Sequence, residues 1–142
     1  GYLVTPYLSG QAPKKKRIEG VSDATMDIVR KSMRRVVYGP HGTGWRLAID
    51  GIEVAGKSGT AQVPNRANGG NDAWFVAFAP YDNPKIAVAV VVEGGGGGGA
   101  IAAPIARKVI EAFFAREQSA THPNHLSPTA LNPSLNWVLN QD

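Results

Sequence analysis

Residues 51 to 62 read Gly-Ile-Glu-Val-Ala-Gly-Lys-Ser-Gly-Thr-Ala-Gln, and they concentrate chemistry in a short span. Lys57 supplies a cation, Ser58 and Thr60 supply hydroxyls, and Gln62 supplies a carboxamide. Gly51 to Ser58 also satisfies G-x-x-x-x-G-K-[ST], the spacing of a phosphate-binding loop. Such a loop needs a buried strand before it and a helix opening at the Lys-Ser pair, whose first amides hold the anion. Here Gly-Thr-Ala-Gln-Val-Pro follows, a run that resists helix formation. Ile52-Glu53-Val54 alternates, unlike a strand buried on both faces. A nucleotide-binding loop is therefore the remote alternative, and residues 52–63 are read as a strand.

Side chains on a strand alternate between faces. Ser58, Thr60 and Gln62 then share one face, and Lys57 points to the other. Two adjacent hydroxyls with a cation beneath make a site for a carboxylate, and Gly59 leaves the main chain open to a flat ligand. An edge strand with solvent-facing hydroxyls has the same spacing, so spacing alone leaves both readings open.

The elements around this strand follow from pattern. Tyr2–Leu8 reads as a short strand that Pro6 confines to an edge or an end. Residues 9–20, with Lys14-Lys15-Lys16-Arg17, read as a solvated loop. No aromatic residues interleave with those four charges, so no nucleic-acid partner is expected. Ser22 is a good N-cap. Met26, Val29, Met33, Val36 and Val37 recur at helical spacing, Asp27 and Lys31 stand at i,i+4, and Gly39-Pro40 ends the helix. Trp74–Ala79 and Lys85–Val92 are apolar runs joined by Pro80-Tyr-Asp-Asn-Pro84, which is hairpin chemistry. A hairpin makes the sheet antiparallel. After six glycines, a helix is predicted over 100–116, with Pro104 in its first turn and Ile105, Val109, Ala112 and Phe113 facing the sheet. The class is α+β.

Residues 117–142 read as a mostly irregular tail broken by Pro123, Pro128 and Pro133, with an apolar patch at Leu135, Trp137, Val138 and Leu139. Pro123, between His122 and His125, argues against a helical metal pair. The chain has 142 residues, a formal net charge of +4 and no cysteine, which excludes disulfides and thiolate metal sites. No stretch approaches the roughly 20 apolar residues that a membrane span requires.

Lys57-Ser-Gly-Thr-Ala-Gln62 resembles the third motif of penicillin-binding proteins. The run Trp74 to Glu93 is similar to the two strands that follow that motif in the monofunctional, class B enzymes. The glycine run and Ala102-Ala-Pro-Ile-Ala-Arg107 resemble the start of their last helix. Leu3–Leu8, the helix from Ser22 and the Gly42-Thr43-Gly44 loop fall in the family order. The likeness covers roughly residues 1 to 116 and, within class B, is greatest to penicillin-binding protein 2, the elongation-specific enzyme. It implies a C-terminal part of a transpeptidase domain over 1–116.

The resemblance also implies a mechanism. A serine in Ser-x-x-Lys attacks the D-Ala–D-Ala carbonyl of a peptidoglycan stem peptide, and β-lactams acylate that same serine. No serine here is followed by Lys three positions on. Tyr81-Asp-Asn83 and Ser134-Leu-Asn136 imitate the middle Ser-x-Asn motif by letter but lie after Lys57, in the wrong order. The nucleophile is thus expected upstream of this chain, and the chain alone is expected to be inactive. Lys57 and the Thr60 backbone N–H (half of an oxyanion hole) are the implied catalytic groups. Lys57, Ser58, Gly59, Thr60 and Gln62 are the implied substrate-binding residues.

No metal or cofactor is implied. Implied partners are stem peptides, β-lactams, the N-terminal remainder of the domain and other cell-wall synthesis proteins, at the outer face of the bacterial cytoplasmic membrane. A non-catalytic β-lactam sensor on the same fold is the alternative.

Overall fold

The computed structural model describes residues 1–9, 13–63 and 70–121. In chain order the elements are β1 (Tyr2–Val4), β2 (Lys15–Arg17), α1 (Asp23–Tyr38), a 3-10 turn (Trp45–Leu47), β3 (Ala55–Ala61), β4 (Asp72–Ala79), β5 (Ile86–Val92) and α2 (Gly98–Thr121). The three central strands form one antiparallel sheet in the order β3-β4-β5, as the hairpin reading requires. β4 and β5 lie close to the expected 74–79 and 85–92, whereas β3 is shorter than the expected 52–63 at both ends and leaves out Gln62. Alternation along β4 buries Ala73, Phe75, Ala77 and Ala79 and leaves Trp74 and Val76 partly exposed. The buried face joins Leu47, Val54 and Ile110 in one core.

α1 begins and ends where its caps stand. The Ser22 hydroxyl accepts from the Thr25 N–H at 3.1 Å, and the Gly39 N–H returns to Arg35 O at 2.8 Å. The helix packs on β3 and the 3-10 turn, with Val37 buried and Met26, Met33 and Val36 half-buried. Val29 departs from expectation and lies exposed, because only part of the helix surface meets the sheet. Asp27 and Lys31 form no ion pair among the described residues.

The basic segment is not wholly a loop. Lys15–Arg17 pairs antiparallel with Tyr2–Val4, in the register Tyr2↔Arg17, Leu3↔Lys16, Val4↔Lys15. Backbone pairing does not depend on the sign of side chains that all remain in solvent, which is why charge misled the reading. The first strand ends at Val4, two residues before Pro6.

α2 corrects the sequence reading twice. It starts at Gly98, so Pro104 lies inside the helix rather than in its first turn, and it runs past 116 to Thr121. Its buried face is Ala102, Ala103, Ala106 and Ile110, while Ile105 and Val109 are 41 % and 44 % exposed, Ala112 is exposed and Phe113 is half-buried. From Gly98 to Ala106 the helix carries no charged or polar side chain, so periodicity did not select a face there. Small side chains won because they let the helix lie close to the sheet. His122, His125, Ser134–Asn136, the apolar patch near the end and the expected irregular tail beyond Thr121 lie outside the described residues.

Candidate active site

β3 carries the chemistry along an edge. Its only strand partner among the described residues is β4, in the register Lys57↔Val76, Ser58↔Phe75, Gly59↔Trp74, Thr60↔Ala73. Directly paired side chains share a face. Ser58 and Thr60 therefore lie on the Phe75 side, and Lys57 lies on the opposite side with Val76, as alternation predicts. Lys57 is exposed, and its Nζ donates to Ser58 O at 2.5 Å. Gln62 stands one residue beyond the strand, exposed, so the ladder does not hold it beside Thr60. No helix opens at Lys57, which removes the phosphate-loop reading. Tyr81–Asn83 occupies the β4–β5 turn, as expected of an accidental motif.

The start of α2 fixes which backbone groups of β3 are free. A Cβ on Gly98 would stand 2.1 Å from Trp74 O, 2.4 Å from Gly59 O and 3.0 Å from Gly59 N. The two carbonyl oxygens are thus near neighbours. An antiparallel pair achieves this only where both residues turn their peptide groups toward each other. By alternation, the peptide groups of Ser58 and Thr60 turn outward, to the uncovered edge. The Lys57 ammonium bond to Ser58 O lies on that same edge.

The loop after α1 reaches this edge as well. Gly44 N donates to Val36 O at 2.9 Å and Gly42 N to Gly39 O at 2.9 Å, folding the loop back on the helix end. Thr43 is thereby carried to Ser58, their hydroxyl oxygens 2.7 Å apart. Beside it opens a cleft of about 480 Å³ whose lining includes Ser32, Arg35, His41, Thr43 and Lys57 and, among the described residues, no acidic one. The field in the cleft favours an anion. Sequence reasoning missed Thr43, Arg35 and His41 as parts of the site. The Gly-Thr-Gly spelling marks a turn, but nothing in it says where the turn returns.

A second cluster holds α1 against the approach to β3. Arg34 pairs with Glu53, and that hydrogen bond raises the Arg34 guanidinium further above its ordinary range. Arg30 donates to Tyr81 O and lies over the Phe78 and Tyr81 rings, 5.4 and 5.2 Å from their centroids. Tyr38 OH accepts from the Val54 N–H at 3.2 Å.

Residues 1–111 match the model of the penicillin-binding protein transpeptidase domain. The chain belongs to that family. The peptidoglycan D,D-transpeptidase MrdA of Haemophilus influenzae is 41 % identical in an alignment 103 positions long that covers 63 % of this chain and 16 % of that protein. MrdA of Salmonella typhimurium is 32 % identical in an alignment 139 positions long that covers 87 % of this chain and 22 % of that protein. Among solved structures, Pseudomonas aeruginosa PBP2 in complex with WCK 5153 superposes with a TM-score of 0.61 at 39 % identity, covering 75 % of this chain and 23 % of that one. Penicillin-binding protein A from Mycobacterium tuberculosis, as a ceftriaxone acyl-enzyme complex, gives 0.62 at 36 % identity, covering 73 % and 24 %. The chain thus spans about a fifth of the curated relatives it matches. The two MrdA relatives and the two solved structures together support a class B, PBP2-like transpeptidase segment with an α+β fold.

Proposed function

We propose that this chain builds one wall of the acyl-transfer cleft in a peptidoglycan D,D-transpeptidase that cross-links stem peptides during cell-wall elongation. The observation that carries the reading is the uncovered edge of β3, with Lys57 and the Ser58 and Thr60 hydroxyls on its opposite faces and the Thr60 peptide turned outward. In this reading an attacking serine from another part of the domain opens the D-Ala–D-Ala peptide bond, and the last D-Ala leaves with a proton. An amine of a neighbouring strand then takes the acyl group. The Thr60 N–H donates to the carbonyl oxygen as negative charge develops on it, worth about 3–4 kcal/mol in the transition state for one such donor. The Ser58 and Thr60 hydroxyls donate to the terminal carboxylate, and Gly59 lets the substrate lie against the main chain. Lys57 biases the field for anions and proton transfer on the other face, and Gln62 lines the rim.

This function places the domain at the outer face of the cytoplasmic membrane, in contact with stem peptides, β-lactams and other cell-wall synthesis proteins. None of the described helices is long and apolar enough to cross a membrane. The test is labelling of the full-length protein by a fluorescent penicillin. Covalent labelling, mapped to a Ser-x-x-Lys serine and blocked by an unlabelled β-lactam, is the expected result. Labelling of any serine within these 142 residues, or none at all, refutes it.

A further inference from the structure

We infer that Thr43 is a positioning residue for substrate recognition, acting through the Ser58 hydroxyl. The inference rests on the transpeptidase reading of the same edge. The two hydroxyl oxygens are 2.7 Å apart, and either can donate to the other. A single proton lies between them, so the direction of the bond decides what Ser58 offers to a ligand. If Ser58 donates to Thr43, its proton is occupied. If Thr43 donates, the Ser58 O–H is free to point at an incoming acceptor. A carboxylate accepts and never donates, so it selects the second arrangement. The resulting chain, Thr43 to Ser58 to carboxylate, has each bond polarising the next.

The backbone holds Thr43 for this task. Gly42 and Gly44 bond back to Gly39 and Val36, and α2 abuts the loop from the other side: a Cβ on Gly99 would stand 1.9 Å from Thr43 O. The end of α1 and the start of α2 therefore hold the backbone of a residue whose side chain is exposed. A threonine here is a specificity element for ligands that end in a carboxylate.

The test uses the full-length protein carrying this segment, with penicillin G and its carboxyl methyl ester as probes. Acylation is measured over a concentration series, so that the binding constant separates from the first-order acylation step. Thr43→Val, which keeps the shape and removes the hydroxyl, should lower the second-order rate for the acid about fivefold to tenfold, the worth of one hydrogen bond. The loss should fall in the binding constant, and the ester should be affected less than about twofold by the same arithmetic. Thr43→Ser should restore the parental behaviour. Equal losses for acid and ester, an unaffected Thr43→Val, or failure of Thr43→Ser to restore binding would each overturn the inference. A parental protein that takes no label from either probe overturns the transpeptidase reading and this inference with it. Normal parental labelling with an unaffected Thr43→Val overturns this inference alone.

Discussion

Gly98 abuts the backbone of Gly59: a single added methyl would stand 2.4 Å from the Gly59 carbonyl oxygen and 2.1 Å from that of Trp74. The last helix and the site strand therefore meet backbone to backbone, and the geometry of the edge depends on how closely they approach.

Gly98→Ala is expected to destabilise the domain, because neither backbone atom is the end of a flexible side chain. Overpacking of this kind costs about 1–3 kcal/mol, and here the upper end is expected. Gly97→Ala is the control: its Cβ would meet only Ala100 Cβ, at 4.0 Å. Denaturant midpoints of the two variants should separate clearly. Equal midpoints would mean that α2 and β3 are not held in this contact.

Arg34 and Glu53 tie α1 to the residues leading into β3. Their side chains are 43 % and 37 % exposed, so solvent weakens the pair. A double-mutant cycle with Arg34→Met and Glu53→Ala should give a coupling of about 1 kcal/mol, between an exposed ion pair and a buried charged hydrogen bond. Raising the salt concentration should reduce it. A coupling near zero at low salt would show that the contacts of Arg30 with the Phe78 and Tyr81 rings, rather than this pair, hold the helix.

Much of this was legible because local chemistry and tertiary structure agree. Ser22 and Gly39 bound α1 whatever it packs on, and Pro80–Pro84 turns the chain whatever flanks it. Alternation alone separated Lys57 from Ser58 and Thr60. What stayed illegible depended on approach distances. The buried face of α2 was decided by which side chains are small enough to sit against the sheet. The partnership of Thr43 with Ser58 depends on a loop returning across fifteen positions, and residue types do not encode that path. Lys15–Arg17 became a strand because its partner Tyr2–Val4 had unpaired backbone to offer, which charge patterning does not register.

The Arg17–Asp23 bond, 2.8 Å long, joins β2 to the first turn of α1. The hydrogen bond from Arg17, and then its charge, hold the Asp23 carboxyl below the usual carboxylate range. A depressed folded-state value means that the contribution to stability is present above the unfolded value of about 3.9 and is lost as pH falls through the lower, folded one. The stability difference between the parental protein and Asp23→Asn should therefore be constant from neutral pH to about 5 and close below about 4, on that same scale. High salt should shrink it, because the aspartate is open to solvent. A difference that grows as the pH drops would contradict the assigned sign.

Lys57 and Thr60 should fail in different ways when truncated. Lys57→Ala removes a cation from the face that alternation sets against Ser58 and Thr60, and the structure shows that cation exposed, with its Nζ donating to Ser58 O at the edge of β3. Thr60→Ala removes one hydroxyl but leaves the outward-turned backbone N–H in place. A charge aimed at developing charge is worth on the order of 100-fold in rate, whereas one hydrogen bond to a carboxylate is worth roughly tenfold. Lys57→Ala should therefore slow acylation of the full-length protein by a β-lactam more than Thr60→Ala does. Thr60→Ala should mainly weaken binding, and only for compounds that carry the carboxylate. The measurement is the second-order acylation rate of each variant with a β-lactam and with its carboxyl ester. Should Thr60→Ala harm both compounds equally, its hydroxyl is not the carboxylate anchor. Ser58, backed by Thr43, would then be left as the hydroxyl that fixes the ligand on this edge.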